Sequence, residues 1–164
     1  MSLDNIQLSG QTCEILFKHN LIAGTTSEII TDSLIKSEIK SLGDNQKQIL
    51  FLVSNSDAAF LPEEEMALLT NLIIACKLSM ADIALVNFNS NKKTYQDFND
   101  KFKPKKILIF GIETTELGLP FAIPYFQIQP FHQQFYLSAP SLKEFVNNKN
   151  LKKELWVCLQ KLFL

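Results

Sequence analysis

Residues 48–53 read Gln-Ile-Leu-Phe-Leu-Val, and the chain then breaks into the polar run Ser54, Asn55, Ser56 and Asp57. A short apolar run closed this way predicts a central strand buried on both faces, as a parallel sheet requires. Residues 81–88 and 107–111 repeat the pattern, the first ending around Asn87 and the second at Gly111. Between the first two runs, Pro62 suits a first helical turn, and Glu63, Glu64 and Glu65 suit the positive end of a helix dipole. Met66, Leu69, Leu72, Ile73 and Cys76 then share one helical face, and the helix is expected to end near Lys77. A polar helix over 94–101 leads through Lys103, Lys105 and Lys106 into the third strand. Residues 125–129 and 133–138 are the remaining strand candidates, with Pro130 between them limiting ladder pairing. Ser141 suits the cap of a helix over 142–146. A closing helix over 151–164 buries Leu151, Leu155, Trp156, Leu159, Leu162 and Phe163. Strands alternating with helices predict an α/β fold, a three-layer α/β/α sandwich with a mostly parallel central sheet.

The pattern is weaker upstream. Residues 1–45 read as an N-terminal helical lead-in, with a helix over 6–20 broken by Gly10, a short helix around 29–39, and turn signals at Gly24 and Gly43. Residues 46–164 form the α/β/α domain. Ile6, Leu8, Ile15, Leu16 and Phe17 fit either an amphipathic docking segment or packing on the domain's own core.

The 164 residues are enough for one domain with a real core, and 46% hydrophobic content excludes general disorder. A formal net charge of −1 gives no overall basic field of the kind that dominates nonspecific phosphate binding. Contact with nucleic acid is therefore expected to be weak or indirect. Cys13, Cys76 and Cys158 have no metal-binding spacing, and their odd number argues against a disulfide framework, which fits a reducing cytoplasm. No segment approaches the roughly 18 consecutive apolar residues that a membrane span needs.

Ligands of such sheets sit beyond the carboxyl ends of the strands. Few residues there can do chemistry. Asp57 fits a water-positioning carboxylate or a turn that it caps itself. Asn87 fits a reader of a base edge or a strand-end turn residue, its amide offering both donor and acceptor. Lys103, Lys105 and Lys106 fit phosphate contact or a solvated edge. His19 and His132 lie at a helix end and in a connection. Phe121, Phe126, Phe131 and Phe135 fit core filling or an exposed partner patch. There is no GxSxG elbow and no glycine-rich phosphate loop, so no cofactor is expected, and no metal site either.

Over residues 48–164 the order of these pieces resembles the uracil-DNA glycosylase fold superfamily. The second strand ends at Asn87, a later one at Gly111, and Pro140-Ser141 precedes a last helix holding Lys152, Lys153 and Trp156. In that superfamily the first loop is a G-E-A-P-G or G-Q-D-P-Y sequence that positions water, the asparagine reads the base, and an H-P-S-x histidine stabilises the departing uracil. Here the loop is Ser54-Asn55-Ser56-Asp57-Ala58, and Ala139 stands where the histidine would. Ser54, Asn55, Asp57, Asn87, Ala139 and Ser141 thus correspond to a degenerate pocket with no catalytic residue. Losing one preorganised donor alone typically costs about 100-fold to 1000-fold in rate.

The chain also resembles the psi-subunit family of bacterial DNA polymerase III, which shares this fold without the active site. The matching features are the apolar first strand, the helix with Leu68, Leu72, Ile73 and Ala75 leading into Leu78-Ser79 and Asp82-Ile83, and Ser141-Leu142 through Asn148, Lys152 and Leu155-Trp156. The resemblance implies a non-catalytic replication accessory subunit. Its N-terminal segment would dock on the clamp loader, and its body would hold a chi-type subunit that contacts single-stranded-DNA-binding protein. The alternative is a divergent nucleobase-binding protein or glycosylase using Asn87 and Asp57.

Overall fold

The structure, a computed structural model, describes residues 38–164. The helix expected over 6–20, the docking residues Ile6, Leu8, Ile15, Leu16 and Phe17, and also Cys13 and His19, lie outside the described residues. The sheet belongs to a compact unit, Ile39–Leu164. Residues 39–45, assigned from sequence to the lead-in, are part of that unit.

The fold is built on β1 (Ile49–Val53), every residue of which is buried. Its alternating side chains feed two cores. Ile49, Phe51 and Val53 pack with α1 (Glu63–Ala75), α3 (Leu142–Asn147) and α4 (Lys149–Phe163). Leu50 and Leu52 face the other way, toward Phe98 and Phe102 of α2 (Tyr95–Phe102) and toward Ile112, Leu117, Leu119 and Ile123 in the connection after the third strand. Each such side chain contributes about 1.5–3 kcal/mol on leaving water, so a strand buried on both faces is worth more per residue than any other element.

Parallel partners flank β1: β2 (Ile83–Asn87) on one side and β3 (Lys106–Phe110) on the other. Next to β3 lies β5 (Gln134–Ala139), also parallel, and β4 (Ile128–Phe131) closes that edge antiparallel, giving the order β2-β1-β3-β5-β4. The step from β1 to β2 carries α1 over one face, and the opposite step from β2 to β3 carries α2 over the other. Opposite steps on opposite faces give crossovers of one hand, as the right-handed rule for parallel strands requires. The result is a five-stranded, mostly parallel sheet covered by helices on both faces.

Several details differ from the sequence-based expectation: β2 begins two residues late, at Ile83, and the closing helix two residues early, at Lys149. Pro62 stands at the N-cap, one residue ahead of the first helical position. The fourth strand lies three residues later than expected and contains Pro130, which is tolerated because β4 has a partner on one side only. Ser141 occupies the N-cap position of α3, but its side chain makes no capping hydrogen bond. The turn into β5 passes through His132 and Gln133, both at positive φ, without the Asn-Gly or Asp-Gly pair that usually announces such a hairpin.

The outer edge of β2 is covered by the segment before β1. Leu42 exchanges two main-chain hydrogen bonds with Leu85, at 2.9 and 2.8 Å, and Asn45 donates to Ile83 at 2.9 Å. Gly43 makes this approach possible: its φ is +96°, and a Cβ there would lie 2.3 Å from the Ile83 carbonyl oxygen. Asp82 fixes the start of β2. It accepts from the Ser79 main-chain N–H at 2.8 Å and from Lys47 Nζ at 3.0 Å, and these contacts hold its carboxyl below the usual carboxylate range. Among the described residues no helix is long and apolar enough to cross a membrane.

Two outcomes are expected. Phe145 is fully buried and packs edge-on against Phe110 and Phe126 with ring centroids 6.3 and 6.2 Å apart; Phe145→Ala should cost about 3–5 kcal/mol in urea unfolding. Because the Asp82 carboxyl is lowered on folding, the stability it contributes is present above the ordinary carboxylate range and is lost as pH falls through the lowered value. Asp82→Asn should therefore flatten the acid side of a plot of urea midpoint against pH.

Candidate functional site

The outgoing connections of β1 and β3 leave toward opposite sides, so the switch point of this sheet lies between the carboxyl ends of those two strands. The loops after β1, β2, β3 and β5 meet around it. Parallel register puts Val53 level with Asn87 on β2 and with Phe110 on β3, and Phe110 level with Ala139 on β5.

Asn87 is the centre of the hydrogen bonding there. It is fully buried. Its Oδ1 accepts the main-chain N–H of Asn55 at 3.2 Å and of Asn89 at 3.1 Å. Its Nδ2 donates to the carbonyls of Asn55, Ala58 and Ala59 at 2.8, 3.0 and 3.3 Å. Five main-chain contacts therefore occupy the whole carboxamide, and the side chain faces the β1 loop. Asn55 continues the network: its Oδ1 accepts from the N–H groups of Asp57 at 2.8 Å and Ala58 at 3.0 Å, an Asx turn.

Asn91 extends the network on the far side. It is buried, donates to the Asn87 carbonyl at 2.9 Å, and accepts the Lys40 N–H at 3.0 Å. Nothing in the Asn-rich tract at 87–91 singles this residue out, because its partner is 51 positions away.

The other sequence candidates do not converge on Asn87. Asp57 is exposed, and its carboxylate accepts from Ser56 Oγ at 3.2 Å. Ser54 is half-buried at the end of β1. Ala139 lies in the core at 1% exposure, so a side chain that donates no hydrogen bond fills the last position of β5. Ser141 meets Gly111 instead. Gly111 has φ of +65°, and a Cβ on it would come within 3.0 Å of both Cα and Cβ of Ser141, so the β3 end and the turn after β5 are in close approach.

Of the three lysines, Lys103 and Lys105 are exposed. Lys106 donates to the Leu162 carbonyl at 2.6 Å and sits 4.4 Å from the Phe163 ring centroid. It places a cation at the negative end of the α4 dipole, and burial lowers its pKa. His132 is exposed, its ring 4.1 Å from that of Phe131. Phe121 and Phe131 cluster with Tyr136 on one face and Phe126 packs with Phe145 on the other, whereas Phe135 is 44% exposed. The Tyr136 hydroxyl, desolvated by this packing, is pushed up to about 12.

A depression of about 510 Å3 lies beside the β1 loop, between the start of α1 and α3. Asp57 and Asn55 line it, with Glu63, Glu64, Glu65 and Lys143; Asn87, Ala139 and Ser141 do not. Glu63 and Glu64 are exposed, whereas Glu65 is only 6% exposed. Its position one and two turns ahead of Leu69 and Ile73 is the signal that could have found it, since all three share one helical face. Among the described residues no group of three or more His, Cys, Asp or Glu side chains is arranged to hold a metal ion.

Compared with known protein families and curated proteins, the chain matches no family model and no curated sequence. Its fold and site therefore stand on their own geometry: an α/β domain whose strand-end loops are tied together by one asparagine.

That tie can be measured. Asn87→Ala strands several main-chain groups at about 1–3 kcal/mol each, partly recovered by water, so a loss of about 2–4 kcal/mol is expected. Asn87→Asp keeps the acceptor but turns a carboxylate toward three carbonyl oxygens, and should cost at least as much. Hydrogen exchange at residues 55, 57 and 58 should speed up in both variants.

Proposed function

We propose that this chain is a non-catalytic accessory subunit of DNA replication, similar to the psi subunit of bacterial DNA polymerase III, working through contacts with clamp-loader and other replication proteins. The observation that carries the proposal is the state of Asn87. A base-reading amide must present its donor and acceptor to a ligand, and this one spends both on the loop of residues 55–59 and on the Asn89 N–H. Ala139, in the position of the superfamily's histidine, brings no donor to a developing negative charge.

Support for the finer fold reading, a uracil-DNA glycosylase-like sheet, comes from where the family marks fall. Asn87 ends β2, Gly111 follows β3, and Pro140-Ser141 follows β5, all at the carboxyl edge of one parallel set. The marks keep their places while the groups that would act on a base are replaced or turned inward. Surface contact is the use that such a domain retains.

The test has two arms. Tagged chain purified at gentle salt from the cell it comes from should bring down clamp-loader components, and recovery of none counts against the proposal. The second arm incubates the chain with uracil-containing single- and double-stranded DNA, and no free base is expected. Base release that Asp57→Ala abolishes would overturn the proposal in favour of a divergent glycosylase.

A further inference from the structure

The depression beside the β1 loop carries four carboxylates, Asp57, Glu63, Glu64 and Glu65, against one ammonium, Lys143. Three of the four belong to the first turn of α1. A helix N-terminus is equivalent to about half a positive charge, which leaves the set strongly negative after Lys143 is counted.

Glu65 separates this set from an ordinary acidic helix start. It is 94% buried, lines the depression, and has neither a hydrogen bond nor an ion pair with any described residue. Buried carboxylates are normally paired or hydrogen-bonded, because desolvation without a partner is costly. Burial does push the Glu65 carboxyl up, Lys143 pulls it back down, and Asp57 and Glu64 push it further up. Its oxygens have no donor from the fold and are not sealed from solvent, the sealed and unpaired side-chain atom among the described residues being Asn45 Oδ1, so Glu65 opens into the depression.

We propose that the depression receives an arginine side chain of a partner protein, with Glu65 as the inner acceptor for its guanidinium. The carboxylates are not arranged to close around a metal ion. A guanidinium needs no such closure, since its planar fork of five donors can serve acceptors spread along a rim. Pro62 and Val146 also line the depression and give an arginine's methylene stem an apolar bed that a bare cation would not use. An exposed ion pair alone is worth only about 0–1 kcal/mol, so the occupant has to be carried by a protein that adds further contacts.

This inference rests on the protein-contact reading above and adds the chemistry of one contact surface. The test titrates the full-length, nitrogen-15-labelled chain with a capped hexa-arginine peptide, with hexa-lysine and with magnesium chloride. Hexa-arginine should shift the amides of Asp57, Glu64, Glu65 and Lys143, and should bind more tightly than hexa-lysine. Glu65→Gln combined with Glu64→Gln should weaken binding about tenfold, and Lys143→Ala, which removes the resident competitor, should tighten it about twofold. Glu65→Gln alone should raise the melting temperature while weakening the peptide, a pairing that a purely structural glutamate would not give. Shifts confined to other surfaces, equal binding of the two peptides, or a stronger magnesium response at these amides would overturn the inference. Clamp-loader recovery alongside a failed titration removes this surface and leaves the replication reading standing. Arginine binding here with no replication protein recovered does the reverse.

Discussion

One carboxamide holds the working edge of this domain together. At the end of a strand buried on both faces the chain must turn, and the turn's main-chain groups lose their ladder partners where water is scarce. Asn87 answers five such contacts at once, four in the β1 loop and one at Asn89 after its own strand. Only an amide can do this, because the loop offers N–H groups on one side and carbonyls on the other. Asn91 and Lys40 carry the same ties to the segment that covers the β2 edge. The β1 loop is thereby fixed to a neighbouring strand, and whatever it presents outward is presented at a fixed place.

The remaining strand ends are set by contact. Gly111 lets the β3 end approach the turn after β5, and larger side chains are excluded by both space and backbone conformation. At the opposite end of the sheet Lys106 reaches the last carbonyls of α4, joining the start of β3 to the end of the final helix. The Phe51, Phe110, Phe145 and Phe126 rings run through the core between sheet and helices, each within 6.0–6.3 Å of the next. The high phenylalanine content is in this way largely absorbed by packing, although Phe135 remains half outside.

Much of this was legible in the residues. Short apolar runs closed by polar breaks located β1, β2 and β3, because strands buried on both faces are apolar throughout, although such a run has no period to fix its ends and β2 begins two residues later than expected. The edge was harder to read. An edge strand pairs on one side and is partly solvated, so β4 tolerates Pro130 and carries no strong apolar pattern, and its turn uses His132 and Gln133 where the usual turn residues are absent. At the candidate site the order of Asn87, Gly111, Ala139 and Ser141 along the strand ends could be read, but the direction of the Asn87 side chain could not. That direction is fixed by Asn55, Ala58 and Ala59, about thirty residues away in the chain, and hydrogen bonds at that separation leave no local signal.

Asn55 links the inward and outward sides of the loop. Its main chain is held by Asn87, its side chain turns the loop at Asp57 and Ala58, and its outer surface lines the acidic depression. The same carboxyl edge on which sheets of this class bind ligands is therefore rigid on the inside and charged on the outside. A buried Glu65 is not what the α1 core requires: Leu69 and Ile73 on the same face pack fully without it, and a neutral side chain there would escape the desolvation cost. Departures of this kind from what local folding favours are expected at functional or strained positions. In this domain the departure lies on the surface beside the β1 loop and not at Asn87.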